Sequence, residues 1–284
     1  MKVLKGNPVK EKIISDVKNY IDAGKDKVGI LLATDDKSAA VYARAQVKMF
    51  SKYGIDVDLY SPTKDVKQGQ ILYRIKKWNS DENLHGIMLL SPMYSQLNRN
   101  EILESLESDK DIEGIKAINL GRLMLNENGL FPPTAVASVE ILKYYGIETE
   151  GKNCVIAGRS VIVGKSLAIL LLRYDKMGNA TVTVCHSKTA NIKDYLRRAD
   201  IVFAAIGRAG YFKASDFKEG SVYVDIGINV VEKNGKRIIV GDVEPDKVEH
   251  LYAYTPVPGG VGTVTNAILL RNYVESKRRK DFNC

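Results

Sequence analysis

Residues 153–175 read NCVIAGRSVIVGKSLAILLLRYD, and the order of their parts decides the fold. NCVIAG (153–158) is an apolar run of strand length, and KSLAILLLRYD (165–175) has the spacing of a helix. Between them lies a turn with glycines only at Gly158 and Gly164, which is not the usual G-x-G-x-x-G. A strand feeding a helix through such a turn aims bare backbone N–H groups and the positive helix end at a phosphate. Taken alone this is weak, because many α/β proteins carry such a turn with no ligand. The next strand, ATVTVCHS (180–187), sharpens it. It runs into CHSKT (185–189), where a domain that prefers NAD carries an acid for the ribose 2′-hydroxyl. Here Ser187, Lys188 and Thr189 offer hydroxyls and a cation, with Arg159 available from the first turn. That set suits a 2′-phosphate, which an acid would repel. The expected cofactor is NADP.

Working outward, the same alternation continues. NIKDYLRRA (191–199) is a short helix, DIVFAAIG (200–207) and SVYVDIGI (221–228) are strands, and RIIVGDV (237–243) is a short strand or turn. Upstream, KVGILLAT (27–34), IDVDLYS (55–61) and HGIMLLSP (85–92) are strands. Helices over 38–53, 66–79 and 100–108 separate them. Strand–helix alternation means parallel sheets covered on both faces. The expected fold class is α/β in two domains: a three-layer catalytic domain (1–136 plus 264–284) and a Rossmann-type domain (137–263). ASVEILKYYGI (137–147) joins the halves, and the last helix, 264–279, returns to the first.

The 284 residues suffice for two cores, and 45% hydrophobic with 27% charged residues is ordinary globular material. No apolar run reaches the roughly 18 residues of a membrane helix, and MKVLKGNPVKEKII lacks the layout of a signal peptide. Cys154, Cys185 and Cys284 form neither a disulfide framework nor a metal-ligand spacing. A cytoplasmic protein without metal is expected. The net charge of +8 sits partly in KRRK (277–280), which reads as a solvated helix end. No basic stripe interleaved with aromatics points to nucleic acid, though a basic surface favours a small polyanion. His85, His250 and Trp78 read as packing or surface, Cys154 and Cys185 as core, and His186 either assists a phosphate or shapes its turn.

One helix holds a polar pair. In SAAVYARAQVKMFSKYGI (38–55), apolar residues fall at Val41, Ala45, Val47, Phe50 and Ile55, and Tyr42 and Gln46 share a face four residues apart. By themselves they read as the wet side.

With GRSVIVGKS, VTVCHSKT, ADIVFAAIG, VYVDIGIN, VGDV and TPVPGGVGTVT in order, the chain resembles the methylenetetrahydrofolate dehydrogenase/methenyltetrahydrofolate cyclohydrolase family. The likeness runs to TNAILLRN (265–272), and PVPGGVG (256–262) is its most specific segment. It implies a folate in a cleft between two domains, NADP on the second, and a homodimer formed through the second domain. The implied substrates are tetrahydrofolate derivatives of one-carbon metabolism and purine biosynthesis, with or without a polyglutamate tail. The implied reactions are oxidation of 5,10-methylenetetrahydrofolate to the methenyl cation and hydrolysis of that cation to 10-formyltetrahydrofolate. The implied cofactor residues are Gly158, Arg159, Ser160, Ser187, Lys188, Thr189 and Ile228. Pro258, Gly259 and Gly260 would approach the folate and nicotinamide with bare backbone. The resemblance also turns Tyr42 and Gln46 toward the folate.

The catalytic half departs from the family. Its Y-x-x-x-K lysine, the acid/base of hydrolysis, is Gln46 here, with Tyr42 retained. Leu90 stands for the glutamine that contacts the lysine, and Glu113 in KDIEG (110–114) for an aspartate that holds the pterin. PPTAVA (132–137) and GGVGTVT replace P-C-T-P-x-G and G-G-V-G-P-x-T. Lys48 lies about 200° around the helix from Gln46 and does not replace the lysine. Hydride transfer needs no titrating protein group, whereas attack by water must release a proton. A working dehydrogenase with weak or absent cyclohydrolase activity is therefore expected. The alternatives are full bifunctionality through another group and a non-catalytic binder of folate or NADP.

Overall fold

The computed structural model describes residues 1–233 and 235–282, with the side chains of 280–282 outside the description; Asn234, Asn283 and Cys284 lie outside it too. From the N-terminus, β1 (Lys2–Val3) is followed by α1 (Gly6–Val17), β2 (Lys27–Leu31), α2 (Lys37–Lys52), β3 (Asp56–Tyr60), α3 (Gln68–Ser80) and β4 (Leu84–Leu89). Then come α4 (Arg99–Ser105), α5 (Ala117–Met124), α6 (Pro133–Tyr144), β5 (Asn153–Ala157), α7 (Ser166–Leu171), β6 (Thr181–Cys185), α8 (Ile192–Leu196) and β7 (Ile201–Ala204). β8 (Phe212–Lys213), β9 (Val222–Asp225), β10 (Asn229–Lys233), β11 (Lys236–Val240), β12 (Val243–Glu244), β13 (Ala253–Tyr254) and α9 (Val261–Phe282) complete the chain.

These elements form two compact units. The three-stranded unit takes residues 13–122, 128–131 and the chain from Leu269 onward. Its parallel sheet has the order β3-β2-β4. Alternation along β2 sorts the core by face. Val28 and Ile30 meet Ala39, Ala43 and Phe50 of α2 and Leu269, Leu270 and Tyr273 of α9. Leu31 on the opposite face joins Ile71, Ile75 and Trp78 of α3 and Ile102 of α4. The end of the last helix thus groups with the first sheet.

The six-stranded unit takes residues 1–12, 123–127 and 132–268. Its main sheet is all parallel, with the order β1-β13-β9-β7-β5-β6, beside the antiparallel pair β10-β11 and the parallel pair β12-β8. The first twelve residues, expected with the catalytic domain, group here for a simple reason. The Lys2 and Leu4 amides donate to Tyr252 and Tyr254 carbonyls at 2.8 and 2.7 Å, making β1 an edge strand. Val155, Ala157, Val202, Ala204 and Tyr223 pack on Leu196, Phe212 and Leu251 from one face. β5 leads to β6 on one side and β7 returns on the other, so the order reverses between β5 and β7. That switch point is where open α/β sheets bind ligands, outside the carboxyl ends of the strands.

Two expectations are corrected. The apolar face of α2 is not Val41 and Ala45, which are exposed; the buried positions are Ala39, Ala43, Gln46 and Phe50. In the basic tail, Lys277 and Arg279 are ion-paired and only partly exposed while Arg278 is exposed, and the side chain of Lys280 lies outside the described residues. Lys277 Nζ lies 2.7 Å from Asp22 Oδ2 and 3.0 Å from Asp26 Oδ1, Arg278 covers the Tyr20 ring at 4.9 Å, and Arg279 lies 3.9 Å from Asp109. No helix among the described residues is long and apolar enough to cross a membrane.

Candidate active site

In the three-stranded unit Leu90, Glu113 and Arg99 gather around the end of β4, and Tyr42 lies within reach of the Glu113 charge. Asp36 caps α2 by accepting from the Ala39 amide at 2.8 Å, and this fixes the helix that carries Tyr42 and Gln46. Gln46 is 1% exposed, so its amide sits within the unit's core side. Tyr42 keeps 41% of its surface. Burial, and then the charge of Glu113, hold its phenol above the ordinary value. Leu90, 3% exposed, is a core residue among Leu32, Ala43 and Met88, and its amide continues the sheet to Leu31 O at 3.0 Å. It can shape the site but offers no polar group to it.

Glu113 owes its place to the residues around it in KDIEG. Lys110 is buried and its Nζ donates to the carbonyls of Trp78, Asn79 and Asp81 at 2.7, 2.6 and 2.9 Å, closing the end of α3. Asp111 accepts from the Lys116 amide at 2.8 Å and from Asn119 Nδ2 at 2.9 Å. Between these anchors the turn delivers Glu113 Oε2 to the Leu89 amide at 2.9 Å. Burial pushes the Glu113 carboxyl up to about 7, against the pull of that amide; Asp111 adds to the rise and Arg99 opposes it. A carboxyl near 7 can hold or release a proton at neutral pH. Arg99 is a site neighbour that sequence reading missed. Its Nε donates to Ser91 Oγ at 3.1 Å, directly after Leu90, and no spacing signal in the sequence links 91 to 99.

In the six-stranded unit the turn after β5 is more unusual than its glycines suggested. Residues Val161–Lys165 form a single π-turn, with the Lys165 amide reaching Ser160 O at 3.0 Å, before α7 begins. A Cβ on Gly164 would stand 2.1 Å from Gly158 O, and one on Gly158 would stand 2.2 Å from Ala205 O. Glycine at both positions lets the turn fold onto itself and onto the loop after β7. Arg159, Ser160, Val161 and Ile162 are left exposed at the switch point.

The turn after β6 is built by two of its own side chains. The His186 amide donates to Thr189 Oγ1 at 2.9 Å, and the Lys188 amide donates to His186 Nδ1 at 3.1 Å. His186 therefore shapes the turn, Thr189 keeps its hydroxyl proton and one lone pair for a ligand, and Ser187 and Lys188 are exposed. Ile228, 62% exposed, lies close over Gly262. Pro258 and Gly259 are exposed, whereas Gly260 is buried and needed for packing, since a Cβ there would meet Pro256 O at 2.5 Å. The Gly6 amide ties the turn to α1 through Gly259 O at 2.7 Å.

The bland residues stay bland. His85 is buried against Tyr273 with Nε2 3.6 Å from Asp26, Trp78 donates to Asp58 at 2.7 Å, and half-buried His250 pairs with Lys247 O. Cys154 and Cys185 are free and buried, and burial pushes the Cys154 thiol up to about 12. Among the described residues no cluster of three or more histidines, cysteines or acids could hold a metal.

Comparison with known proteins joins the two units. Residues 4–113 match the family described as tetrahydrofolate dehydrogenase/cyclohydrolase, catalytic domain, and residues 132–281 its NAD(P)-binding domain. The bifunctional protein FolD of Campylobacter concisus is 39% identical over 286 residues, covering 99% of both chains. The crystal structure of bifunctional FolD, methylenetetrahydrofolate dehydrogenase/cyclohydrolase, from Campylobacter jejuni superposes with a TM-score of 0.90 at 36% identity, covering 99% of each chain. The Trypanosoma brucei enzyme, solved with NADP cofactor and inhibitor, gives a TM-score of 0.87 at 28% identity over 98% of each chain.

Proposed function

The chain belongs to the tetrahydrofolate dehydrogenase/cyclohydrolase family, and from that premise we propose that it oxidises 5,10-methylenetetrahydrofolate with NADP and hydrolyses the product only weakly. NADP, when bound, supplies the hydride acceptor. The cradle supports the fit: Gly158 and Gly164 fold the turn so that Arg159 and Ser160 are exposed, and Ser187 and Lys188 offer a hydroxyl and a cation in place of an acid. Thr189 contributes its hydroxyl proton, and Ile228 an exposed apolar surface.

For the folate, we assign binding to Tyr42 and Glu113 of the three-stranded unit and to the exposed Pro258 and Gly259 of the six-stranded unit, while Gly260, expected with them, is buried and serves the packing of that turn. Glu113, when ionised, accepts from pterin N–H donors with its free oxygen while Leu89 holds the other. Loss of hydride from the methylene carbon leaves an amidinium cation, and no protein group gains or loses a proton. Position and field are what the chain must supply. In hydrolysis, water bonds to that carbon and sheds a proton before the ring C–N bond breaks. Gln46 can orient the water but cannot take its proton, and losing a positioned base costs about 10²–10⁴-fold. The observation that carries this reading is the identity and burial of Gln46, on the helix whose Ala43 and Phe50 share an apolar core with Leu90.

A second reading keeps both activities, and one observation favours it. Glu113, raised to about 7 beside Tyr42, is able to accept a proton at neutral pH. One assay separates the readings. With methylenetetrahydrofolate and NADP, NADPH should appear and methenyl absorbance should persist. Rapid decay, far above the buffer rate, would establish the second reading, and no NADPH at all would leave only a binder.

The same family premise supports a homodimer through the six-stranded unit, because the hairpin of β10 and β11 leaves Val230, Ile238 and Ile239 exposed. A polyglutamate tail on the substrate suits the net charge of +8. Free thiols at Cys154 and Cys185 suit a reducing cytoplasm.

A further inference from the structure

We propose that Asp242 is a positioning residue for hydride transfer, holding two loops at the mouth of the six-stranded sheet in the one arrangement that orients the nicotinamide. The inference rests on the reading of that sheet as the NADP site. Its geometric basis is the switch point between β5 and β7. The loop after β7, Ala205–Arg208, is pressed against the phosphate turn so closely that only glycine fits at 158. It therefore forms one wall of the crevice in which an open α/β sheet takes its ligand.

That wall is held from behind by a carboxylate. Asp242 is fully buried, and it accepts from three successive backbone amides: Ile206 at 2.6 Å, Gly207 at 3.0 Å and Arg208 at 2.8 Å. Consecutive amides converging on one point form an anion-binding nest, and here the protein fills the nest with its own side chain. The fourth donor is Asn229 Nδ2, at 2.9 Å from Oδ1. Asn229 follows Ile228, which is 62% exposed and belongs to the second loop. One carboxylate therefore fixes both the 206–208 wall and the 227–229 segment.

Asp242 is itself placed by a second carboxylate. Asp225, at the end of β9, accepts from the amides of Gly227, Asp242 and Val243 at 2.9, 3.0 and 2.9 Å, and its own amide donates to Thr255. The two acids interlock with two glycines. A Cβ on Gly227 would stand 2.3 Å from Asp242 Oδ1, and one on Gly241 would stand 1.9 Å from Asp225 Oδ2. The stretches DIGIN and VGDV are thus two halves of one knot, and both carboxylates are buried within it. Burial, with the Asp242 charge adding to it, pushes the Asp225 carboxyl up to about 6. The fold tolerates this electrostatic cost at a place where backbone geometry matters.

The test uses the full-length enzyme with Asp242→Asn and Asn229→Ala. The first turns one acceptor into a donor facing amides, and the second removes only the Asn229 strut. Calorimetry measures binding of NADP and of 2′-phospho-ADP-ribose, which lacks the nicotinamide, and steady-state kinetics gives kcat. We expect kcat to fall about 10²-fold in Asp242→Asn and about tenfold in Asn229→Ala. Binding of 2′-phospho-ADP-ribose should change by less than about twofold. Unchanged kcat in either folded variant overturns the proposal. So does an equal loss of fragment binding, which would mean that the knot merely holds the domain together. If Asp242→Asn does not fold, Asn229→Ala decides. Wild-type protein that binds neither ligand would instead overturn the NADP reading beneath it.

Discussion

Gln46 and Glu113 divide between them the question of where a proton could go. Gln46 lies on the buried face of α2, 1% exposed, and other residues of that face, Ala43 and Phe50, share an apolar core with Leu90. A lysine there would be desolvated, which depresses an ammonium pKa toward neutrality and so favours a proton acceptor. Gln46→Lys combined with Leu90→Gln should therefore raise the hydrolysis rate by about 10²-fold, read as the decay of methenyl absorbance, and Gln46→Lys alone should raise it less. If neither variant speeds the decay, Gln46 does not set the rate and Glu113 becomes the group of interest. Glu113 has its own signature in stability. Its carboxyl rises from the ordinary 4.5 to about 7, so the native state binds more protons than the unfolded chain between those values. Stability must then fall as pH rises from about 4.5 through 7. Glu113→Gln still accepts from Leu89 but cannot ionise. It should melt higher than wild type at pH 7.5, on the order of 5 °C, with little difference at pH 4.5. Asp225, raised to about 6, acts in the same direction, so the variant should reduce the slope without abolishing it. The sequence exposed these residues only through family likeness, since a glutamine and a glutamate at these spacings carry no signal of their own.

At the scale of elements, the strands were legible because short, continuous apolar runs such as 27–31 and 153–157 are buried on both faces of parallel sheets. The face of α2 was not. Small Ala39 and Ala43 fill the core while larger Val41 lies outside, so hydrophobicity alone pointed the wrong way. α5 escaped notice because its role is carried by Asn119, a buried polar side chain that braces Asp111. The hairpin of β10 and β11 was half seen, since its pairing partner at 229–233 is interrupted by charge. The π-turn at 161–165 left only its two glycines in the sequence, and those carry a prediction. Gly164→Ala would drive a methyl group into Gly158 O at 2.1 Å, and backbone on both sides must move. NADP affinity should fall at least about tenfold, measured by calorimetry. Undiminished binding would mean that the turn adapts and its tight closure is not needed.

For the molecule as a whole, the assignment of chain segments to units follows hydrogen bonds more than sequence order. The first strand belongs to the sheet that ends near residue 254, a pairing no local pattern could announce. The basic tail is likewise explained by partners far away in sequence, namely Asp22, Asp26 and Asp109. One feature of the six-stranded unit remains unpaired. β10 and β11 form a two-stranded ribbon, and such a ribbon is marginal in water without something to cover it. On one of its faces Val230 and Ile239 are cross-strand neighbours, 64% and 45% exposed, and on the other Ile238 is 36% exposed. Apolar side chains on both faces of a ribbon favour burial against a second copy of the chain. Val230→Glu with Ile239→Glu places two like charges opposite each other on the face that such a copy would cover. The double variant should sediment at half the mass of wild type at micromolar concentration, with NADP binding retained because the phosphate turn lies elsewhere in the sheet. Should the wild type itself sediment as a monomer, or the variant remain dimeric, the ribbon is not the contact and its apolar faces need another occupant.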